Sequence, residues 1–268
     1  MSQVSGRGGE RRLACLELWG GNSQACQPLG LPGLLGWVSS APHGQAASGG
    51  DVLYFSVCSQ GQVSRVALAD VAGHGASASS VAERLRRVLQ HHTDNWDQSA
   101  LMRELNEAFR RDAEGVQFAT AVVLGYYFAT GELLFTNAGH LPLLWYHAQM
   151  GAWDWLEEHT PYAKEVAGLP LGLISGTDYA QTAVELDPGD LLLLYTDGIT
   201  EACNERREML GHEGLLTLVR DLPMNPLAGP AAFGHALLAK LQKFRGRAPQ
   251  HDDETLVLVQ RETEPSRA

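Results

Sequence analysis

The order in which hydrophobic periodicities follow one another is the tightest constraint on how this chain can fold. Two β-rich runs, "DVLYFSVC" (51–58) and "QVSRVALAD" (62–70), flank "SQG", a turn of hairpin length, and are expected to pair antiparallel. Two helical patterns follow, with Val81, Leu85, Val88 and Leu89 at helical spacing and then Leu101, Leu105, Ala108 and Phe109. Strands return in "FATAVVLGYYF", "GELLFTNAG", "PLLWYHA", "AWDWL", "YAQTAVEL" and "DLLLLYTD". Helices come back in "GHEGLLTLVRDL" and "PAAFGHALLAKLQKFRG", before a last strand, "ETLVLVQRE". Strands in runs and helices in pairs predict an α+β sandwich of antiparallel sheets covered by helices, not an alternating βαβ sheet.

With 268 residues, 44% of them apolar and 19% charged, the chain can bury a sizeable core. It reads as one domain over 13–262, between a polar N-terminal tail (1–12) and a short C-terminal one (263–268). "LACLELWGG" is expected to give a first strand, and Gly20 to Gly50, rich in Gly, Pro and Ser, a loop with one short element at "GLLGWVSS". Twenty Lys and Arg against 31 Asp and Glu leave a net charge of −11, which repels nucleic-acid phosphates and anionic membrane surfaces. Cys15, Cys26, Cys58 and Cys203 form no CxxC pair, which fits a reducing cytoplasm. The start has no apolar signal region and no run is long enough to span a membrane, so neither export nor insertion is expected.

Four places share one design, an apolar strand meeting an aspartate in tight surroundings: Asp51 in "SGGDVLYF", Asp70 in "VALADVAGHG", Asp197 in "LLLLYTDGITEA", and Asp252 with Asp253 in "HDDETLVLV". A single strand-end Asp is ordinarily a turn or cap residue. Several carboxylates around one void repel one another unless cations lie between them, and carboxylate oxygens suit hard cations such as Mg²⁺ or Mn²⁺. The set therefore points to a carboxylate-rich site for one or two metals.

Taken in order, "GGD" (49–51), "ADVAGHG" (69–75), "FATAVV" (118–123), "TGELLFTNAGHLPLLWY" (130–146), "GLPLGL" (168–173), "LDPGDLLLLYTDGITEACN" (186–204) and "DDETLVLV" (252–259) resemble the PPM/PP2C-type protein phosphatases, in the bacterial SpoIIE/RsbU-like branch. The resemblance implies an α-β-β-α sandwich of two antiparallel sheets flanked by helices, with a centre for two Mn²⁺ or Mg²⁺ ions at one end. It makes Asp70 the acid bridging both metals and the Val71 backbone carbonyl a further ligand. Asp197 and Asp252 match the other principal acids, so that Asp70, Asp197 and Asp252 would hold a metal-activated water; Asp51 and Asp253 would bind metal directly or through water. Around them are expected Gly50, Gly73, His74, Thr120, Asn137, His140, Thr196 and Gly198, with both histidines orienting neighbours and Asn137 tying a turn. Two positions depart from the family pattern: Ala69 replaces a glycine, adding a methyl beside the site, and Tyr54 stands where a second acid often does.

The resemblance implies phosphoserine or phosphothreonine hydrolysis on a protein partner in bacterial partner-switching signalling, the substrate being a phosphorylated anti-sigma-factor antagonist. An activator protein, or a homodimer through helices at 76–112, would supply regulation, and residues 148–167 a flap that selects the substrate. Other motif readings lack their chemistry. "GHGASA" mimics a dinucleotide fingerprint but places Asp70 against the pyrophosphate. No cysteine has an Arg six residues on, as a thiolate phosphatase requires, and no DxD exists for an aspartyl-phosphate enzyme. Two other classes stay open: a catalytically inactive regulatory module on the same fold, and a hydrolase of small phosphate esters.

Overall fold

The computed structural model describes residues 11–58, 60–72, 76–92, 97–111, 118–156 and 168–263, with the side chains of 45, 76–83 and 111 left aside. Its strands are β1 (Arg11–Arg12), β2 (Leu18–Gly21), β3 (Ala25–Leu31), β4 (Leu34–Ala41), β5 (Asp51–Val57), β6 (Val63–Val71), β7 (Ala119–Tyr127), β8 (Glu132–Ala138), β9 (Leu144–His147), β10 (Ala152–Trp155), β11 (Gln181–Glu185), β12 (Leu191–Tyr195) and β13 (Glu254–Arg261). Its helices are α1 (Ala76–His91), α2 (Gln98–Arg111), the single turn α3 (Asp197–Thr200), α4 (Gly211–Arg220) and α5 (Gly229–Arg245).

The strands form two sheets, ordered β1-β3-β4-β13-β12-β9-β10 and β11-β8-β7-β6-β5-β2. All neighbours pair antiparallel except the short β1, which lies parallel to β3. Side-chain parity explains why the strands read as nearly continuous apolar runs. Leu53, Phe55, Leu68, Val122, Leu192, Leu194, Val257 and Val259 point inward and build the core between the sheets. The alternate residues Val52, Tyr54, Ala67, Ala69 and Ala121 face α1 and α2, meeting Leu85, Leu89, Leu101, Leu105 and Phe109. On the other side Trp37, Leu191, Leu193, Tyr195, Leu256 and Leu258 face α4 and α5, meeting Leu215, Val219, Phe233, Leu237 and Leu241. This is the expected α-β-β-α sandwich.

The Gly20–Gly50 stretch is more regular than its reading as a loop with one short element: the element at "GLLGWVSS" is β4, and a second strand precedes it. The stretch carries both β3 and β4, and β4 lies well inside its sheet, between β3 and β13. Pro32 and Gly33 make the two-residue connection between them, Gly33 adopting φ +72°. Gly36 lies where a methyl would press on the Leu29 carbonyl of the neighbouring strand. Turn-like composition thus marks a hairpin and a close strand approach. Of the expected first strand only Leu18–Gly21 pairs, at the edge beside β5. Arg11 and Arg12, assigned from sequence to the tail, form β1; residues 1–10 and 264–268 lie outside the described residues, as do 157–167 of the expected flap.

No helix among the described residues is long and apolar enough to cross a membrane. The inter-sheet core is expected to dominate stability. Leu194→Ala, removing a fully buried side chain from its centre, should lower unfolding free energy by about 2–5 kcal/mol in urea denaturation. A loss below 1 kcal/mol would show that the two sheets do not pack there.

Candidate metal centre

The apolar layer between the sheets stops one rung short of the edge, and the next inward-facing residues are polar. In the second sheet the pairing register sets Asp51 opposite Asp70 and Asp70 opposite Thr120. Each lies two residues from an inward apolar one, Leu53, Leu68 and Val122. In the first sheet the same parity brings Ser40, Thr196 and Thr255 inward, two residues from Val38, Leu194 and Val257. These groups join across the layer. Thr196 Oγ1 donates to Asp51 Oδ2 (2.7 Å) and accepts the Thr255 amide (3.0 Å), while Thr255 Oγ1 donates to Ser40 Oγ (3.1 Å). Asp51 is only 3% exposed.

Asp197 follows β12 directly as the first residue of α3, and Asp252 with Asp253 precedes β13. Because β12 and β13 are neighbours, both arrive at the end of the sandwich where Asp51 opens β5 and Asp70 closes β6. The turns are held tightly. A methyl on Gly198 would overlap the Asp253 carbonyl, and one on Gly49 would run into the Asp253 carboxylate. Asp253 accepts the amides of His43 (Oδ1, 2.6 Å) and Gly50, fastening two loops, and its own amide donates to Asp252 Oδ1 (2.8 Å).

That fastening leaves a mark on Val71. The Val71 amide donates to the Gly50 carbonyl (3.2 Å), but the reciprocal bond of an antiparallel ladder is missing, because the Gly50 amide donates to Asp253 instead. The Val71 carbonyl, on a residue 3% exposed, thus has no hydrogen bond among the described residues. A buried carbonyl left in this way is costly unless something else coordinates it.

Electrostatics single out the same place. Burial pushes the Asp70 carboxyl up to about 7, reinforced by the charges of Asp197, Asp252, Asp253 and Glu201. Burial, and then the charge of Asp70, raise Asp51 well above the usual carboxylate range. Asp197 is raised by burial, then by Glu201 and Asp252. The acids are close enough to perturb one another, yet among the described residues no group of three or more His, Cys, Asp or Glu is arranged to hold a metal ion. An all-oxygen donor set, an orphaned carbonyl and mutually repelling acids fit hard divalent cations, and Mg²⁺ in particular keeps several waters and uses few protein ligands.

Around the acids, Asn137 Oδ1 accepts the His140 amide (2.7 Å), and Asn137 Nδ2 donates to the His140 carbonyl (3.1 Å). His140 Nδ1 lies 3.1 Å from Thr120 Oγ1, so Asn137 and His140 prop the residue opposite Asp70. Gly73 and His74 lie outside the described residues. Ala69 and Tyr54 point away from the acids, into the layer beneath α1 and α2; the extra methyl of Ala69 therefore packs against helices and does not crowd the site. Sequence reasoning overlooked Thr255 and Ser40, and did not place Glu201 among the site residues. Counting strand parity outward from Val257 and Val38 would have found the first two.

Fold and site together define a PP2C-type phosphatase architecture. Residues 60–262 match the family model described as Stage II sporulation protein E (SpoIIE), and the chain belongs to that family. Phosphoserine phosphatase RsbU of Bacillus subtilis is 26% identical over 197 residues, 73% of this chain and 55% of the relative. The chain thus spans about half the length of that curated relative. Among solved structures it is similar in fold to the SiaA-PP2C domain of Pseudomonas aeruginosa (TM-score 0.68, 21% identity, 84% of each chain). It is also similar in fold to the catalytic domain of the serine threonine protein phosphatase PstP in complex with 2 manganese ions (TM-score 0.56, 19% identity, 85% of this chain and 97% of that one).

Burial holds the His140 imidazole down at about 4, against 6.5 ordinarily. Its neutral form is the folded one, so its stabilising contribution is complete above pH 6.5 and is lost as pH falls toward 4. The raised acids act in the opposite direction, and comparison with His140→Gln cancels them. Between pH 6.5 and 5 the wild type should lose about 2 kcal/mol more than the variant in urea denaturation. Parallel pH profiles would contradict a neutral buried His140.

Proposed function

We propose that this chain is a metal-dependent protein phosphatase that hydrolyses phosphoserine or phosphothreonine on a protein partner, in signalling of the partner-switching type. The observation that carries the reading is Asp70, crowded by Asp197, Asp252, Asp253 and Glu201 beside a Val71 carbonyl without its ladder partner. On this reading Asp70 and the Val71 carbonyl would hold two Mn²⁺ or Mg²⁺ ions together with Asp197, Asp252 and Asp51, and Asp253 keeps the loops around them closed. Bound divalent metal lowers the pKa of its water toward neutrality and offsets charge on phosphoryl oxygens.

The chain's own groups do the positioning. Thr196 fixes the carboxylate of Asp51, and the Ser40–Thr255 pair fixes Thr196. His140 and Asn137 hold Thr120 across from Asp70. None of these groups is a nucleophile poised for covalent attack, in keeping with direct attack by water. A net charge of −11 would repel a dianionic phosphate ester, so acceptance of one rests on cations at the acid cluster. The name of the relative RsbU, phosphoserine phosphatase, supports phosphoserine as the group hydrolysed; the partner proposed to carry it is a small protein such as an anti-sigma-factor antagonist.

Phosphate release from a phosphoserine peptide is expected to require Mn²⁺ or Mg²⁺ and to stop with chelator. Asp70→Asn and Asp197→Asn should each reduce it by more than about a hundredfold, beyond what loss of an outer partner of a metal ligand costs, with circular dichroism unchanged. Near-normal rates in both variants would contradict the mechanism.

A further inference from the structure

Next to the acid cluster a cavity of about 550 Å³ opens between two chain segments, 203–207 and 247–251. The first begins two residues after Glu201, and the second runs directly into Asp252. Both walls therefore leave the site at its own acids, and whatever occupies the cavity lies beside a substrate bound there.

Its lining is basic in a chain of net charge −11. Arg207, Arg247 and His251 face it, and among the described residues it carries one carboxylate, Glu205. Glu205 Oε1 is engaged by the Arg247 amide (2.9 Å), a bond that ties the two walls across 42 positions. Neither the Arg207 nor the Arg247 guanidinium has a hydrogen bond or ion pair among the described residues. The neighbouring Arg245 is by contrast paired with Glu254. With 31 acids to 20 Lys and Arg in the sequence, guanidinium groups without a carboxylate at the rim of an acid cluster need explaining.

The wall that carries Arg207 is built to hold it. Arg207 adopts φ 64°, rare for a side-chain-bearing residue. Its amide donates to the Asn204 carbonyl (2.9 Å). The flanking amides of Arg206 and Glu208 donate to Asn204 Oδ1 (2.9 and 3.0 Å). A turn fixed in this way loses little further freedom when its arginine engages a ligand.

We infer that this cavity binds acidic side chains flanking the phosphorylated residue of the protein substrate, and so selects acidic phosphopeptides. The inference rests on the phosphatase reading and adds its sequence preference. Planar guanidinium groups favour carboxylates through paired hydrogen bonds, and the volume suffices for two or three side chains.

The test uses Mn²⁺-loaded wild type and two fluorescent peptides carrying a non-hydrolysable phosphonate in place of phosphoserine, one flanked by Glu and Asp, the other by Gln and Asn. By fluorescence anisotropy the acidic peptide should bind about tenfold more tightly, a margin that two exposed charge pairs supply. The preference should fall below about twofold in Arg207→Ala/Arg247→Ala, survive in part in Arg207→Lys/Arg247→Lys, and shrink with added salt. Equal affinity in the wild type, or a preference that persists in the double alanine variant, would overturn the inference. The phosphonate is not turned over, so the readout is independent of phosphate release. Preference without release from the matching phosphoserine peptide would sink the phosphatase reading and leave this site standing; release without preference would do the reverse.

Discussion

Mutual repulsion among carboxylates at the mouth of the sandwich is the constraint on which the rest of this protein depends. Asp51, Asp70 and Asp197 are all raised by burial together with neighbouring negative charge. A fold relying only on apolar packing would not gather acids at the edge of its core, because each raises the cost of ionising the next. The arrangement is held by bonds that point away from the acids' free faces: Thr196 to Asp51, and two loop amides to Asp253. These bonds restrain the carboxylates without neutralising them.

Strand parity is what brings these groups together. One face of each strand packs between the sheets and the other packs under helices. The residue two positions beyond the last inward apolar side chain must still point inward. At that rung the first sheet supplies hydroxyls and the second supplies two carboxylates and the Thr120 hydroxyl. Two packed sheets therefore deliver groups more than 140 positions apart in sequence, Asp51 and Thr196, to one hydrogen-bond distance.

Much of this was legible in the sequence, and its gaps have physical causes. The β5–β6 hairpin, the paired helices and the acids at strand ends follow from local periodicity and turn chemistry, which act over a few residues. β3 was hidden, and β4 read only as a short element at "GLLGWVSS", because Pro32, Gly33 and Gly36, which a tight hairpin and a close strand approach require, give the segment the composition of a loop. From sequence Asp253 reads as one more acid beside Asp252; the fold adds that it fastens the His43 and Gly50 amides, bonds formed across some 200 positions that no local pattern announces. The orphaned Val71 carbonyl is a consequence of the second of these bonds. The basic cavity escaped notice because Arg207 and Arg247 come together only when the chain closes.

The most direct test of the account is calorimetric titration of the metal-free protein with Mn²⁺ at neutral pH, repeated on Asp70→Asn. Two ions per chain in the wild type, with binding lost or sharply weakened in the variant, is the result that follows if the crowded acids and the Val71 carbonyl form a binuclear site. No heat of binding in the wild type, or an isotherm unchanged by the substitution, would contradict the claim that these acids are gathered to hold metal.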